Sequence, residues 1–260
     1  MNTEIKHFII ESIKKGSVNL YIQPFMKLDT NTVCGGEILS RMQGPNDGMI
    51  MPDVFIKVIE ENDMQSEFDM MIFSKACAWV QERLQNGMKD KVITCNFFKT
   101  TIANDSFVNN ILGISQGYGI EPNVIGIEVL ESDDLSGNPK LAENLNALHK
   151  LGFKILLDDW GRGYTSYDDL HNIQVDVLKL DKSIMKNIET EKGKKIFESI
   201  VSLARELGIQ VLCEGLERQM QRNLAKYYGC DIGQGYGLYI PNELSKYNSL
   251  LEGRQALATI

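Results

Sequence analysis

The chain has 260 residues, 43% of them apolar, which is enough for one large core, and it carries no long tract of the polar composition that stays unfolded. Its 35 acidic against 27 basic side chains leave a formal charge of -8, which opposes binding to long nucleic acids but leaves room for a small anion held by local charges. No run approaches the roughly 20 apolar residues that span a bilayer, and the N-terminal stretch MNTEIKHFIIESIKKG lacks a cleavage-like ending, so membrane insertion is not expected.

Residues 4–14 read as a short amphipathic helix. NLYIQPFMKL at 19–28 and VCGGEILSR at 33–41 read as two strands joined by the polar DTNT, a connection short enough for an antiparallel pair. A helix is expected after Pro52, with Phe55, Val58 and Ile59 inward, and another over 67–84, with Phe68, Met71, Ile72, Lys75, Ala76, Trp79 and Val80 at helical spacing.

From there the pattern alternates. Strands are expected at 91–97, 123–130, 152–159, 175–181, 209–215 and 231–240, with helices at 106–116, 139–150, 194–207 and 217–228 and a short one before 175. In the 194–207 helix the inward stripe is read as Ile196, Ile200, Leu203 and Leu207. The tail from 243 to 260 reads as helical, with Leu244, Leu250, Leu251 and Leu257 available for packing.

With the two early strands the count is eight, which closes a TIM-like (β/α)8 barrel with an antiparallel strand near the N-terminus. An open doubly wound sheet shows the same alternation; it needs edge strands, and the candidates from 91 onward offer no protected edge. No linker interrupts the pattern, so one domain is expected over 1–260. The five cysteines, at 34, 77, 95, 213 and 230, form no close CxxC pair and several sit in apolar runs, so buried free thiols and a reducing, cytoplasmic setting are expected.

Polar residues interrupt these strands at one end. Asn96, Glu128, Asp158, Lys179 and Glu214 each lie toward the C-terminal end of a different apolar strand, and Gln234 follows the last one, so residues scattered over about 140 sequence positions become neighbours at one barrel mouth. Any one acid there reads as a helix cap or loop bond. Together, Glu37, Glu128, Asp158 and Asp159 would repel and raise one another's pKa unless cations were present. Oxygen donors with one amide and no histidine or cysteine favour magnesium or manganese over zinc, and two such ions suit phosphodiester hydrolysis. The adjacent aspartates can serve neighbouring ions only if the chain turns, and GRG at 161–163 is the expected turn.

Lys179 is the natural cation beside an attacking water, and Arg41 a candidate phosphate contact. Tyr164, Tyr167 and Tyr236 are base-stacking candidates that packing would explain equally well. His7, His149 and His171 are scattered and form no site. The GxG triplets at 161–163, 233–235 and 235–237 lack the strand and helix context of a dinucleotide loop.

Over roughly residues 18 to 241 the sequence resembles the EAL-domain cyclic di-GMP phosphodiesterases. The resemblance rests on Glu37-Ile38-Leu39 followed by Arg41, on Gln23-Pro24, MPDVF at 51–55, Asn96, EVLE at 128–131, DDWGRGYTS at 158–166, LKLD at 178–181, EGLE at 214–217 and QGY at 234–236, in order. It implies hydrolysis of cyclic di-GMP to linear pGpG with two Mg2+ or Mn2+ ions. The implied ligands are Glu37, Asn96, Glu128 and Asp158 for one ion, and Asp158, Asp159 and Glu217 for the other. Lys179 and Glu214 would orient the water, with Glu37 also counted among the catalytic groups. Gln23, Arg41 and Gln234 would serve the substrate side, and Glu131 and Asp181 would support the loop. The family also allows a homodimer, for which this sequence offers no interface pattern of its own.

Four positions depart from the family pattern. Ile38 stands for alanine and is expected to crowd Glu37, Met42 stands for tryptophan and is expected to loosen the groove floor, Trp160 stands for phenylalanine, and Arg162 takes a usually small position where it could contact phosphate or disturb the loop. The rival readings are an EAL-like domain that binds cyclic di-GMP or a protein partner without turnover, and a partner-binding barrel whose acidic mouth is incidental.

Overall fold

The computed structural model describes residues 3–45, 48–87, 91–130, 138–162 and 167–251. The helix α1 (Thr3–Lys14) leads into the antiparallel pair β1 (Asn19–Lys27) and β2 (Thr32–Gln43), and β2 pairs at its far end with the two-residue β3 (Met49–Ile50). Pro52 opens α2 (Pro52–Glu61), and α3 (Gln65–Gln85) follows. The alternating part then runs β4 (Val92–Asn96), α4 (Lys99–Ile102), α5 (Phe107–Gly117), β5 (Ile125–Leu130), α6 (Pro139–Lys150), β6 (Lys154–Trp160), α7 (Tyr167–Asn172) and β7 (Val177–Leu180). It continues through α8 (Lys182–Asn187), α9 (Glu191–Glu206), β8 (Gln210–Cys213), α10 (Gln219–Tyr227), β9 (Ile232–Gly233), β10 (Asn242–Glu243) and α11 (Leu244–Leu251).

The sheet closes through β1–β2–β4–β5–β6–β7–β8–β9 and back to β1, with β1 antiparallel to both β2 and β9 and the others parallel. This is the expected TIM-like barrel; closure leaves the central strands without free edges. Helices cover the outside, and the main core lies between them and the strands' outer faces, where Ile38, Ile93, Cys95, Ile127, Val129, Leu157, Leu178, Leu180, Val211 and Cys213 are buried.

A smaller apolar cluster of Phe25, Leu156, Val177 and Leu212 is separate from that core. Its members share strand parity with Gln23, Asp158 and Lys179, so they fill the lumen as a plug. The plug needs Gly126 on β5, because a Cβ there would lie 2.8 Å from Leu156 Cδ1 and 2.9 Å from Thr94 Cγ2.

The structure corrects three packing expectations. In α9 the buried stripe is Phe197, Val201 and Ala204, while Ile196 and Leu207 stand 48% and 51% exposed, because the barrel meets the helix one residue round from the aliphatic stripe. Met42 is fully buried in the outer core, so it is no part of a groove floor. Ile38 also points into that core, away from the neighbouring Glu37, so its bulk is absorbed between sheet and helices. In the tail, Tyr247 is the anchor: it is buried, donates to Gly35 C=O at 2.7 Å and meets Trp79 edge-on, whereas Leu257 lies outside the described residues.

All five cysteines are free thiols, with Cys77, Cys95, Cys213 and Cys230 buried and Cys34 half-buried. Among the described residues no helix is long and apolar enough to cross a membrane.

Candidate active site

Directly above the plug, four lumen strands change from apolar to polar within one pleat repeat. Leu156 gives way to Asp158, Val177 to Lys179, Gly126 to Glu128 and Leu212 to Glu214, each two residues further along its parallel strand. The antiparallel β1 makes the same change in reverse, from Phe25 back to Gln23. Two-residue spacing keeps a side chain on the same face, so these groups must meet.

Lys179 is their hub. Its Nζ lies 2.7 Å from Glu128, 2.9 Å from Asp158, 3.1 Å from Glu214 and 3.3 Å from Glu37, with no exposed side-chain surface. Burial alone would drive its ammonium toward neutrality, but the surrounding carboxylates hold its pKa well above the ordinary lysine value. Lysine is therefore the fixed cation of the cluster, a more central place than beside it.

The carboxyls respond differently. Burial opposes ionisation of Glu37, yet Lys179 and amide donors from Gln234 at 2.8 Å and Asn96 at 2.7 Å hold its pKa below the ordinary range. Glu128 is pushed well up by complete burial, with the Glu37 and Asp158 charges adding to the effect against the pull of Lys179; Thr94 Oγ1 donates to it. Asp158 is raised chiefly by burial, and Glu214, also by burial, to about 8. Were all four carboxylates ionised around the one ammonium, three formal negative charges would stay uncompensated; the raised carboxyls relieve that repulsion by holding protons, and divalent cations would relieve it in their place.

Two groupings can hold such ions. One oxygen each from Glu37, Glu128 and Asp158 lie within 4.8 Å of one another, and so do oxygens from Asp158, Asp159 and Glu214, with Asp158 common to both. Asn96 uses its Nδ2 on Glu37, which leaves its carbonyl oxygen to offer to a cation. The all-oxygen donor set fits magnesium or manganese. Side-chain exposure rises from zero at Glu128 to 10% at Asp158 and 21% at Glu214, so the cluster opens on the Glu214 side.

The two aspartates come together by a turn that begins two positions earlier than GRG. Asp159 itself has φ 57, in the left-handed region, and the β6–β7 register breaks between Leu157 and Trp160. This bulge folds the second carboxylate back to the side of the first. Gly161, at φ 91, continues the turn, and Asp181 secures it from β7: its N–H donates to Trp160 C=O at 3.2 Å while its carboxylate caps α8 through Ser183 N–H at 2.8 Å.

Gln234 joins the polar layer as expected, donating to Glu37 and to Gln23 Oε1 at 3.1 Å; Gln23 in turn donates to Tyr239 C=O. The 235–237 segment lies flat on the Leu216–Glu217 backbone, where a Cβ on Gly237 would fall 2.3 Å from Glu217 O, so its glycines serve close packing. Arg41 stands four residues beyond Glu37 on β2, donating to Ser40 C=O at 2.8 Å with its guanidinium 5.8 Å from the Tyr21 ring centroid. Glu217 is exposed and outside both carboxylate groupings, and its N–H donates to Gln221 Oε1. Glu131 and Tyr164 lie outside the described residues.

Two participants escaped the sequence reading. Thr94 shares the inward face with Asn96, a parity signal that was available. Asp69, on α3, is 2% exposed and accepts Phe98 N–H at 2.9 Å, bracing the chain just after Asn96 from behind the sheet. With no cation beside it, burial pushes its carboxyl up to about 8 against the pull of Thr101 and the Phe98 N–H.

The chain is 28% identical over 229 residues to the cyclic di-GMP phosphodiesterase RocR of Pseudomonas aeruginosa, covering 88% of this chain and 58% of that protein. It is 32% identical over 209 residues to the cyclic di-GMP phosphodiesterase PdeF of Escherichia coli, covering 80% of this chain and 28% of the relative, so it spans only part of the length of these proteins. The EAL enzyme Bd1971, solved with cAMP and cyclic di-GMP bound, superposes with a TM-score of 0.86 at 26% identity, covering 97% of this chain and 68% of that one. The EAL domain model matches residues 9–241, nearly the whole described barrel, and the chain belongs to the EAL domain family.

Proposed function

We propose that this chain is a metal-dependent phosphodiesterase that opens one phosphodiester of cyclic di-GMP to give linear pGpG. The observation that carries the reading is the pair of carboxylate groupings sharing Asp158 around a fully buried Lys179, at the open end of an EAL-family barrel. The relatives' names supply the substrate class, and the oxygen donors supply the fit to magnesium or manganese.

Glu37, Asn96, Glu128 and Asp158 would hold one ion, and Asp158 with Asp159 the other, with Glu214 within reach of the second and Glu217 left outside. When bound, two such ions supply an activated water and charge neutralisation at the phosphate. The chain's own groups do the rest. Lys179 donates to Glu128 and Glu37 and keeps Glu37 ionised. Gln234 and Asn96 fix the Glu37 carboxylate by one donor on each oxygen, and the apolar plug excludes bulk water from below. Gln23 and Arg41 serve the substrate side in this reading, and Asp181 steadies the turn at the end of β6. Residues 1–260 act in this reading as one barrel unit, and its free thiols suit the cytoplasm.

The test is to incubate the purified chain with cyclic di-GMP, with and without Mg2+ or Mn2+, and to follow pGpG by chromatography. Product that depends on metal is the expected result. Binding without turnover under either metal would make the chain a sensor of the dinucleotide, and absence of any metal-dependent binding would overturn both readings.

A further inference from the structure

Asp159 has a partner that the other carboxylates lack. Arg162 Nη1 donates to Asp159 Oδ2 at 2.8 Å. The pair is built locally: the left-handed Asp159 turns the chain, and Arg162 N–H returns to Asp159 C=O at 3.1 Å, which brings the guanidinium back over the carboxylate. The Arg162 side chain is 70% exposed and Asp159 22%, so the pair sits at the outlet of the cluster and not within it.

Lys179 touches all three carboxylates of the Glu37 grouping and two of the other, so it bears on both, whereas among the described residues Arg162 pairs with Asp159 alone, which belongs to one. An oxygen held by a guanidinium is not fully available to a cation, and an ion on the same carboxylate faces a positive charge a few ångströms away. Resting on the two-ion reading above, we propose that Arg162 is an internal competitor for the ion at Asp158, Asp159 and Glu214, so that the two positions fill in order, the Glu37 side first. Exposed ion pairs are weak, so the competition is graded: about two- to five-fold in affinity, not exclusion.

The probe is Mn2+ alone, titrated into the full chain while the signal of free Mn2+ is followed by electron paramagnetic resonance. Wild type is compared with Arg162→Ala, Arg162→Lys and Lys6→Ala, the last removing the same charge from the exposed Lys6–Glu61 pair. The weaker of two dissociation constants should tighten about two- to five-fold in Arg162→Ala and less in Arg162→Lys. The tighter constant, and both constants in Lys6→Ala, should stay at wild-type values. An unchanged weaker constant in Arg162→Ala, or an equal gain in Lys6→Ala, overturns the competition while leaving the metal reading intact. Failure of wild type and variants alike to take up Mn2+ would overturn the metal reading and this inference with it.

Discussion

The barrel lumen holds two layers one pleat repeat apart, and they obey opposite rules. The lower layer, Phe25, Leu156, Val177 and Leu212, is apolar and stabilises by burial. The upper layer, Gln23, Glu37, Glu128, Asp158 and Lys179, is just as buried but concentrates charge, a costly arrangement unless every group finds a partner. The lower layer keeps water from reaching the upper one from beneath. The lesson is that the low dielectric that gives the charges their strength is supplied by side chains only two residues away on the same strands.

Lys179→Met should break the comparison most strongly, because it removes the one ammonium from four carboxylates. Turnover should fall about 10²- to 10⁴-fold, the scale of losing a positioned proton-transfer group. The metal-free protein should lose about 3–5 kcal/mol of stability, partly restored by Mn2+ in thermal melts; wild-type melting without metal would show that Lys179 is not the hub.

In the lower layer, Leu212→Ala should cost about 2–5 kcal/mol in denaturant unfolding through the cavity it leaves. Its kcat at low temperature, where the protein stays folded, should remain within a few-fold of wild type; a loss as large as that of Lys179→Met would mean the layers are not separable.

Asp69 sharpens the comparison as a buried carboxylate without a cation. Its folded pKa of about 8 lies above the ordinary 3.8, so the folded state holds a proton that the unfolded state has lost. The stability from that proton is therefore full below the ordinary value and is lost as pH rises from about 4 toward 8, with a slope of up to about 1.4 kcal/mol per pH unit. Asp69→Asn should flatten that decline, measured by urea midpoints across the window, and an unchanged slope would place its source elsewhere. The smallest effect belongs to the outer face: Ile38→Val should cost about 0.5–1.5 kcal/mol and leave Mn2+ affinity unaltered, since this side chain points away from Glu37.

Much of this was legible in the chain because strand parity is a local property. Apolar runs carrying one polar residue near the C-terminal end located β4 to β8, and closure into a barrel then made neighbours of Asn96, Glu128, Asp158, Lys179 and Glu214. What escaped was whatever depended on packing from another element. The inward face of α9 was misplaced because Ile196 and Leu207 complete a helical stripe by spacing alone, while the barrel's curvature selects Phe197 and Val201. Ile38 was expected to crowd Glu37 and Met42 to loosen the groove floor, yet alternation sends both to the opposite face of β2. Asp69 carried no signal, since an aspartate near the start of a helix is ordinary until the Phe98 N–H is brought to it.

The order of residues by itself determined the eight-strand alternation and which strand ends bear oxygen, because periods of two and of three to four residues are written along the chain. Only the tertiary structure decided that Lys179 sits among four carboxylates, that Asp159 turns back through a left-handed bulge and that Arg162 lies upon it. Those are distances between groups far apart in sequence or set by a single backbone torsion, and they exist only once the sheet has closed.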